Sequence, residues 1–264
     1  ELGLVDRLVS APEARQELAM RGAPNRSGDG YRAISHDDYL DLTNLPPALL
    51  TGRDIKIVVA EGEIVSGKPG PGFIGSDSIS QQLREIGRDE KVRAVVLRVN
   101  SPGGDAQASE QIRRELQALQ DMGKTVVVSM GDVAASGGYW ISMSADEIWA
   151  SPSTITGSIG VFGVLPTFDQ TLQRMGIYTD GVGTTEVAGK LRLDLPLDPD
   201  ISAMFQASTE RVYADFISKV ADYREMSEER ADEVAQGRVW SGIQARDRGL
   251  VDQLGGLDEA VSAA

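Results

Sequence analysis

Gly131-Asp-Val-Ala-Ala-Ser136-Gly-Gly-Tyr-Trp140 follows directly on the apolar run Thr125-Val-Val-Val-Ser-Met130. The β-branched run reads as a buried strand. Small residues come next, then a more helical segment from Gly138 to Ser144. Strand, tight Ala/Gly turn and helix is the geometry that presents a serine hydroxyl at the positive end of a helix dipole. On its own the stretch admits two readings of Ser136: a nucleophile, or an N-cap serine between two packed elements. What surrounds it has to decide.

Working outward, Val92-Arg-Ala-Val-Val-Leu-Arg-Val99 is a second buried strand. It runs into Asn100-Ser-Pro-Gly-Gly104, and a helix follows from about Gln107 to Asp121. On the other side, Glu147-Ile-Trp-Ala150 is a short strand leading into the loop Ser151–Gly160. Toward the N-terminus, Arg53–Val65 reads as the first core strand and Gly67–Gly75 as a flexible loop. Asp77, a good N-cap type, opens an amphipathic helix through Ser78–Ile86. Toward the C-terminus come a helix near Thr167–Arg174, a short strand near Ile177–Val182, long helices through 197–236 and a closing segment Ser241–Ser262. Strands alternating with helices at this spacing predict an α/β fold with a mainly parallel sheet flanked by helices. Ligand sites in such sheets lie at the carboxyl ends of the strands. Asn100–Gly104, Asp132–Ser136 and Ser151–Gly160 all fall there, so three special loops share one edge.

Composition narrows the chemistry. A chain of 264 residues with 41% hydrophobic and 25% charged residues has ample material for a core. A net charge of −14 argues against a nucleic-acid partner and against charge-driven binding to an anionic membrane. The absence of cysteine excludes thiolate catalysis, disulfides and cysteine-based zinc sites. No metal and no cofactor are expected. No apolar run approaches a membrane span, although an anchor upstream of Glu1 is compatible with a chain that begins without methionine.

The chain also repeats itself. Gly3-Leu-Val-Asp6-x-Leu8 matches Gly249-Leu-Val-Asp252-x-Leu254, and Glu13-Ala14 matches Glu259-Ala260 in the same register. Such a match reads as an internal repeat. The domain organisation expected is therefore a tail of a preceding repeat over 1–16, a linker and lead-in arm over 17–54, and the main domain over 55–264.

Acyl transfer needs a nucleophile, a base and donors aimed at a developing oxyanion. Ser136 can be the nucleophile. Gly103 and Gly104, just after a strand, can expose backbone N–H groups, and Gly137 adds the N–H that follows the serine. The single histidine, His36, sits in the polar arm beside Asp37 and Asp38, which disfavours a Ser-His-Asp arrangement. A lysine with its pKa lowered by burial is the remaining option. Among the lysines only Lys190 lies in a loop that reaches the strand ends, and Lys190-Leu-Arg reads equally as a solvated loop charge.

Asn100-Ser-Pro-Gly-Gly104, Asp132-Val-Ala-Ala-Ser-Gly-Gly-Tyr139 and Thr156-Gly-Ser-Ile-Gly160 together resemble the signal peptide peptidase A (protease IV) family, Ser/Lys peptidases of the ClpP/crotonase superfamily. The resemblance implies a repeated ββα superhelix, Ser136 as nucleophile, Ser158 as hydrogen-bond partner of the catalytic lysine, and Gly103 and Gly104 in the oxyanion-donor region. It implies signal peptides and other apolar peptides as substrates, a homo-oligomer (a tetramer for the long form), and attachment to the bacterial inner membrane through a segment missing from this chain, with the catalytic domain facing the periplasm. Tyr139, Trp140, Ile159, Val161 and Phe162 flank the site, either as substrate groove or as core. The short form of the family carries its lysine in the loop that here reads Gly183-Thr-Thr-Glu-Val187, without one. The long form is a tandem repeat with serine in the second half and lysine in the first, which fits both the repeat and the missing lysine. The resemblance thus implies that Lys190 does not stand in for the base. Two other functions share the fold: an acyl-CoA enzyme of the crotonase type and an inactive scaffold.

Overall fold

The computed structural model describes residues 17, 18, 20–22, 54–181, 183–185 and 188–264. The expectations for His36, for the repeated segment at 3–14 and for most of the lead-in arm fall outside them. Residues 1–51 belong to one unit, and among its described residues Arg21 pairs with Glu17 one helical turn away at 2.7 Å. Residues 52–264 form the other.

That second unit is built on a seven-stranded sheet. Its main path runs β1 (Asp54–Glu61), β4 (Val92–Ser101), β5 (Thr125–Ala135), β6 (Glu147–Ala150) and β9 (Gln253–Leu254), all parallel. β5 is long enough to serve two partners. Val127–Ser129 pair with β6, while Val133–Ala135 pair with β7 (Ile155–Gly157), which in turn pairs antiparallel with β8 (Val239–Ser241). A small parallel pair, β2 (Glu63–Val65) and β3 (Phe73–Gly75), lies apart from the sheet.

Why β4 and β5 read as continuous apolar runs is clear from their surroundings. Val95, Leu97, Val99, Val126, Val128 and Met130 point into a core shared with helices α1 (Ser76–Arg88), α2 (Ala106–Asp121) and α5 (Pro199–Tyr223). On the opposite face Val96 and Val127 pack under Leu257, Ala260 and Val261 of the C-terminal helix α8 (Leu257–Ala263). A strand covered on both faces carries no alternation. β1 differs from the expected core strand. It ends at Glu61 and buries only Val58 and Ala60, leaving Ile55, Ile57 and Val59 between 39% and 57% exposed on its other face. It is an edge strand.

Other local readings are corrected too. α1 is capped by Gly75, not Asp77; Asp77 sits inside the first turn, where its carboxylate accepts from Gln111 Nε2 at 2.9 Å. The loop 151–160 contains strand β7, and the Gly67–Gly75 loop ends in β3. The helix after Ser136 is a single turn, α3 (Gly137–Trp140), continued by turns to Ser144. Residues 177–181 form no strand, and Val182 lies outside the described residues. Two short helices, α4 (Asp169–Arg174) and α6 (Glu228–Val234), flank α5, and α7 (Gly242–Arg246) precedes β9.

One part-buried ion network ties α2, α3 and α5 together. Glu110 accepts hydrogen bonds from Arg113 Nε (2.8 Å), Arg114 Nε (2.8 Å) and Trp140 Nε1 (2.8 Å), and Arg113 donates to Tyr223 OH at 2.7 Å. Burial alone would raise the Glu110 pKa, but the bonds from Arg113, Arg114 and Trp140 outweigh it and bring it down to about 2. A depressed carboxylate stabilises the fold fully above its unfolded pKa and ceases to do so as the pH falls through the folded value. Glu110→Gln is therefore expected to lower stability by about 1–2 kcal/mol near neutrality, less than the full shift implies because solvent screens a half-buried carboxylate. The difference from the parent should shrink between about pH 4.5 and pH 2, which denaturant titrations across that range would check.

Candidate active site

Ser136 terminates β5 with φ 52° and ψ −116°, a conformation that serine adopts only under strain. Neighbouring bonds enforce it. Its N–H donates to Gly157 O on β7 at 2.9 Å, and its carbonyl accepts from Trp140 N–H at 2.8 Å, starting α3. The strand it leaves is kinked on purpose. The β4–β5 register shifts between Val99 and Ser101, and the Asn100 side chain occupies the gap, its Oδ1 accepting Val133 N–H at 3.2 Å. A side chain on Gly131 would come within 3.1 Å of Asn100 Cβ, so the asparagine and the glycine are a matched pair. Thr154 and Thr156 fasten the next loop to the same strand, donating to Gly131 O and Ala134 O at 2.7 Å each.

The glycines of Asn100–Gly104 serve different purposes. Gly103 has φ 111° and its N–H is already given to Ser101 Oγ at 3.1 Å. A Cβ there would lie 2.8 Å from both Ser136 Cβ and the Gly137 nitrogen. Gly103 is therefore required for close approach rather than as a donor. Gly104, at φ 150°, lies against β2, where Ile64 donates to Gly103 O and accepts from Asp105 N–H, both at 2.8 Å. Among the described residues, no protein acceptor takes the N–H of Gly104 or of Gly137. These two amides are neighbours: a Cβ on Gly137 would sit 3.1 Å from the Gly104 nitrogen.

Ser136, Ser158, Gly103 and Gly104 line one cleft of about 880 Å³, together with Phe162 and Tyr213. A smaller cavity of about 280 Å³ adjoins Ser136, walled by Ala106, Gly137, Trp140, Val161 and Phe216. Gly137 thus lines the second cavity and not the first. Ser158 also adopts a left-handed conformation, φ 49°, and its N–H donates to Arg238 O at 2.7 Å. Of the flanking apolar residues, Tyr139 and Ile159 are core: both are fully buried, and Tyr139 OH donates to Leu250 O at 3.0 Å. Trp140, Val161 and Phe162 reach the cavities, with Phe162 almost wholly exposed.

No lysine among the described residues lines the cleft. Lys190 pairs with Asp200 at 2.9 Å and Asp198 at 3.2 Å, and the hydrogen bonds to these two carboxylates raise its pKa. A general base has to be neutral before it acts, so those partners hold Lys190 in the wrong state. Lys124 donates to Asp89 O and Val92 O, at the amino end of β4 and away from the loops. Tyr213, Asp232 and Gln236 line the cleft without any sign in the sequence; they lie on α5, α6 and the loop beyond, and only the fold brings them to Ser158.

Residues 118–264 match the model of peptidase family S49. The chain is 46% identical over 99% of its length to protease 4 of Salmonella typhi, and 42% identical over 99% to protease 4 of Haemophilus influenzae. It spans 41% and 42% of those proteins, about two fifths of the length of the curated relatives it matches. A solved ClpP1 variant of Listeria monocytogenes superposes with a TM-score of 0.52 at 16% identity, covering 78% of this chain and 94% of that one. That likeness identifies the fold as ClpP-like.

Proposed function

This chain belongs to peptidase family S49, and from that premise we propose that it is the serine-bearing half of a Ser/Lys endopeptidase acting on signal peptides and other apolar peptides. The observation that carries the reading is Ser136, strained at a strand end and facing a cleft beside two uncommitted amides, those of Gly104 and Gly137. Ser136 Oγ attacks the scissile carbonyl while a neutral lysine takes its proton. The oxyanion that forms is received by the N–H groups of Gly104 and Gly137. The lysine then protonates the departing amine, and water repeats the sequence to free the acyl group. Ser158, on the next loop, orients the lysine. The apolar walls given by Trp140, Val161, Phe162 and Phe216 suit apolar side chains.

The lysine comes from a preceding repeat, of which residues 1–16 are the tail. In the same reading, residues 17–54 are the linker and 55–264 the peptidase domain. The protein works as a homo-oligomer, a tetramer in the long form, at the periplasmic face of the bacterial inner membrane. No described helix is long and apolar enough to cross a membrane.

A serine-trapping peptidyl probe with an apolar acyl residue, read by intact mass, tests this. The adduct is expected on a polypeptide extended through the preceding repeat, on that polypeptide carrying Lys190→Ala, and not on the 264-residue chain alone. An adduct on the short chain that disappears with Lys190→Ala would place the base within it and overturn the two-repeat reading.

A further inference from the structure

Three residues in the cleft wall have no part in the chemistry above. Tyr213, on α5, donates its hydroxyl to Asp232 Oδ1 at 2.5 Å and accepts the Gln236 N–H at 3.3 Å. Gln236 closes the triangle, its Nε2 donating to Asp232 Oδ2 at 3.0 Å. Gln236 sits at φ 56°, a left-handed conformation unusual for a residue with a side chain. Immediately beyond it, Gly237 N–H donates to Ile159 O at 2.9 Å and Arg238 O accepts Ser158 N–H at 2.7 Å. Gly160 closes tightly on the same turn, since a Cβ there would lie 3.0 Å from Gly237 Cα. Two left-handed non-glycine residues, Ser158 and Gln236, therefore face each other across one pair of backbone hydrogen bonds, and only Gln236 has a side-chain clamp.

We propose that Tyr213 and Asp232 are positioning residues that latch the Gln236–Arg238 turn in its left-handed form and thereby hold Ser158 in place beside Ser136. The inference rests on the proposed role of Ser158. The physical argument is one of strain. A left-handed residue persists only where its surroundings over-determine it. At Gln236 two hydrogen bonds to groups on two helices do so, braced by the Tyr213–Asp232 bond and by Arg238 Nη2 donating to Gln236 Oε1 at 2.9 Å, and the turn they fix supplies both backbone bonds that bracket Ser158. Asp232 is kept ionised by the Tyr213 and Gln236 bonds, which lower its pKa and make it a strong acceptor. The same partnership, with burial as the larger cause, pushes Tyr213 up to about 12, so the donor proton stays on the phenol across the working range. Ser158 itself carries no comparable clamp. Its geometry is set from the far side of the turn.

The test is a double-mutant cycle in the polypeptide extended through the preceding repeat, with a fluorogenic apolar peptide as substrate. Tyr213→Phe should lower kcat between about tenfold and a hundredfold, as a sub-ångström to 1 Å misplacement does, with KM unchanged. Ser158→Ala should lower kcat by at least as much, and Tyr213→Phe should add nothing to it, because both act through one hydroxyl. Tyr213→Phe combined with Gln236→Gly should regain most of the loss, since glycine holds the left-handed turn without the latch. If Tyr213→Phe is silent while Ser158→Ala is impaired, the latch is wrong and the role of Ser158 stands. Additive losses would make Tyr213 an independent contributor and overturn the proposal as well. A silent Ser158→Ala would remove the role of Ser158, and the latch with it.

Discussion

Ser136→Ala in the extended polypeptide is expected to reduce kcat by a factor on the order of 10⁴ to 10⁶, leaving substrate affinity nearly intact. The size follows from what the hydroxyl does. Without it no acyl-enzyme forms, and the residual rate is whatever the cleft and the Gly104 and Gly137 amides give an attacking water. Stability should respond in the opposite direction or hardly at all. The alanine leaves the backbone bond to Gly157 O and the start of α3 untouched, and it removes only a side-chain hydroxyl. The strain at φ 52° remains, because alanine tolerates that region no better than serine. Steady-state kinetics with a thermal melt of the same sample decides the matter. A loss of less than about tenfold would mean that Ser136 is not the nucleophile.

Some of this architecture can be read in the sequence, and particular residues show why. The runs at 92–99 and 125–130 announce buried parallel strands because both of their faces are covered, so valine and leucine fall on successive positions and only Arg93, Arg98, Thr125 and Ser129 break the apolar pattern. The three loops at the strand ends stand out because glycine and proline cluster where chains turn. β7 escapes detection for the reciprocal reason. It is three residues long, and Ile155-Thr-Gly157 is held by the Thr156 hydroxyl and by β5 rather than by any apolar pattern of its own. The pattern at Ile177–Val182 misleads in the other direction. Ile177 and Tyr178 are exposed, and no neighbouring strand offers a ladder to residues 177–181.

The site divides along the same line. Ser136, Ser158 and the glycines are legible because small residues at strand ends have few other uses. That Gly103 donates inward to Ser101 while Gly104 does not is beyond any sequence reading, since it depends on one side-chain rotamer. Tyr213, Asp232 and Gln236 are ordinary helix and loop residues whose only distinction is proximity in the fold. A left-handed glutamine has no signature except the glycine that follows it, Gly237 at φ 71°.

The assignment of Gly103 as a spacer carries the second large expectation. Since its N–H is committed to Ser101 Oγ, Gly103→Ala deletes no oxyanion donor. What it adds is a methyl group at φ 111°, with Ser136 Cβ and the Gly137 nitrogen each 2.8 Å away and Ala135 O at 3.0 Å. All three belong to the turn that carries the nucleophile, and two are backbone, so no rotamer change relieves the overlap. The turn has to move, taking the Ser136 hydroxyl and the Gly137 amide with it. A displacement of about 1 Å at reacting atoms costs on the order of 10²-fold, and misaligning one oxyanion donor costs about 10²- to 10³-fold. The variant should therefore acylate at least about a hundred times more slowly than the parent. Its loss of stability should be about 1–3 kcal/mol, the ordinary range for a strained backbone position. Rates of adduct formation with the serine-trapping probe, set beside denaturant melts, separate the two effects. Acylation within threefold of the parent would show that the turn absorbs a methyl group, and that close packing of Gly103 against Ser136 is not what holds the nucleophile in place.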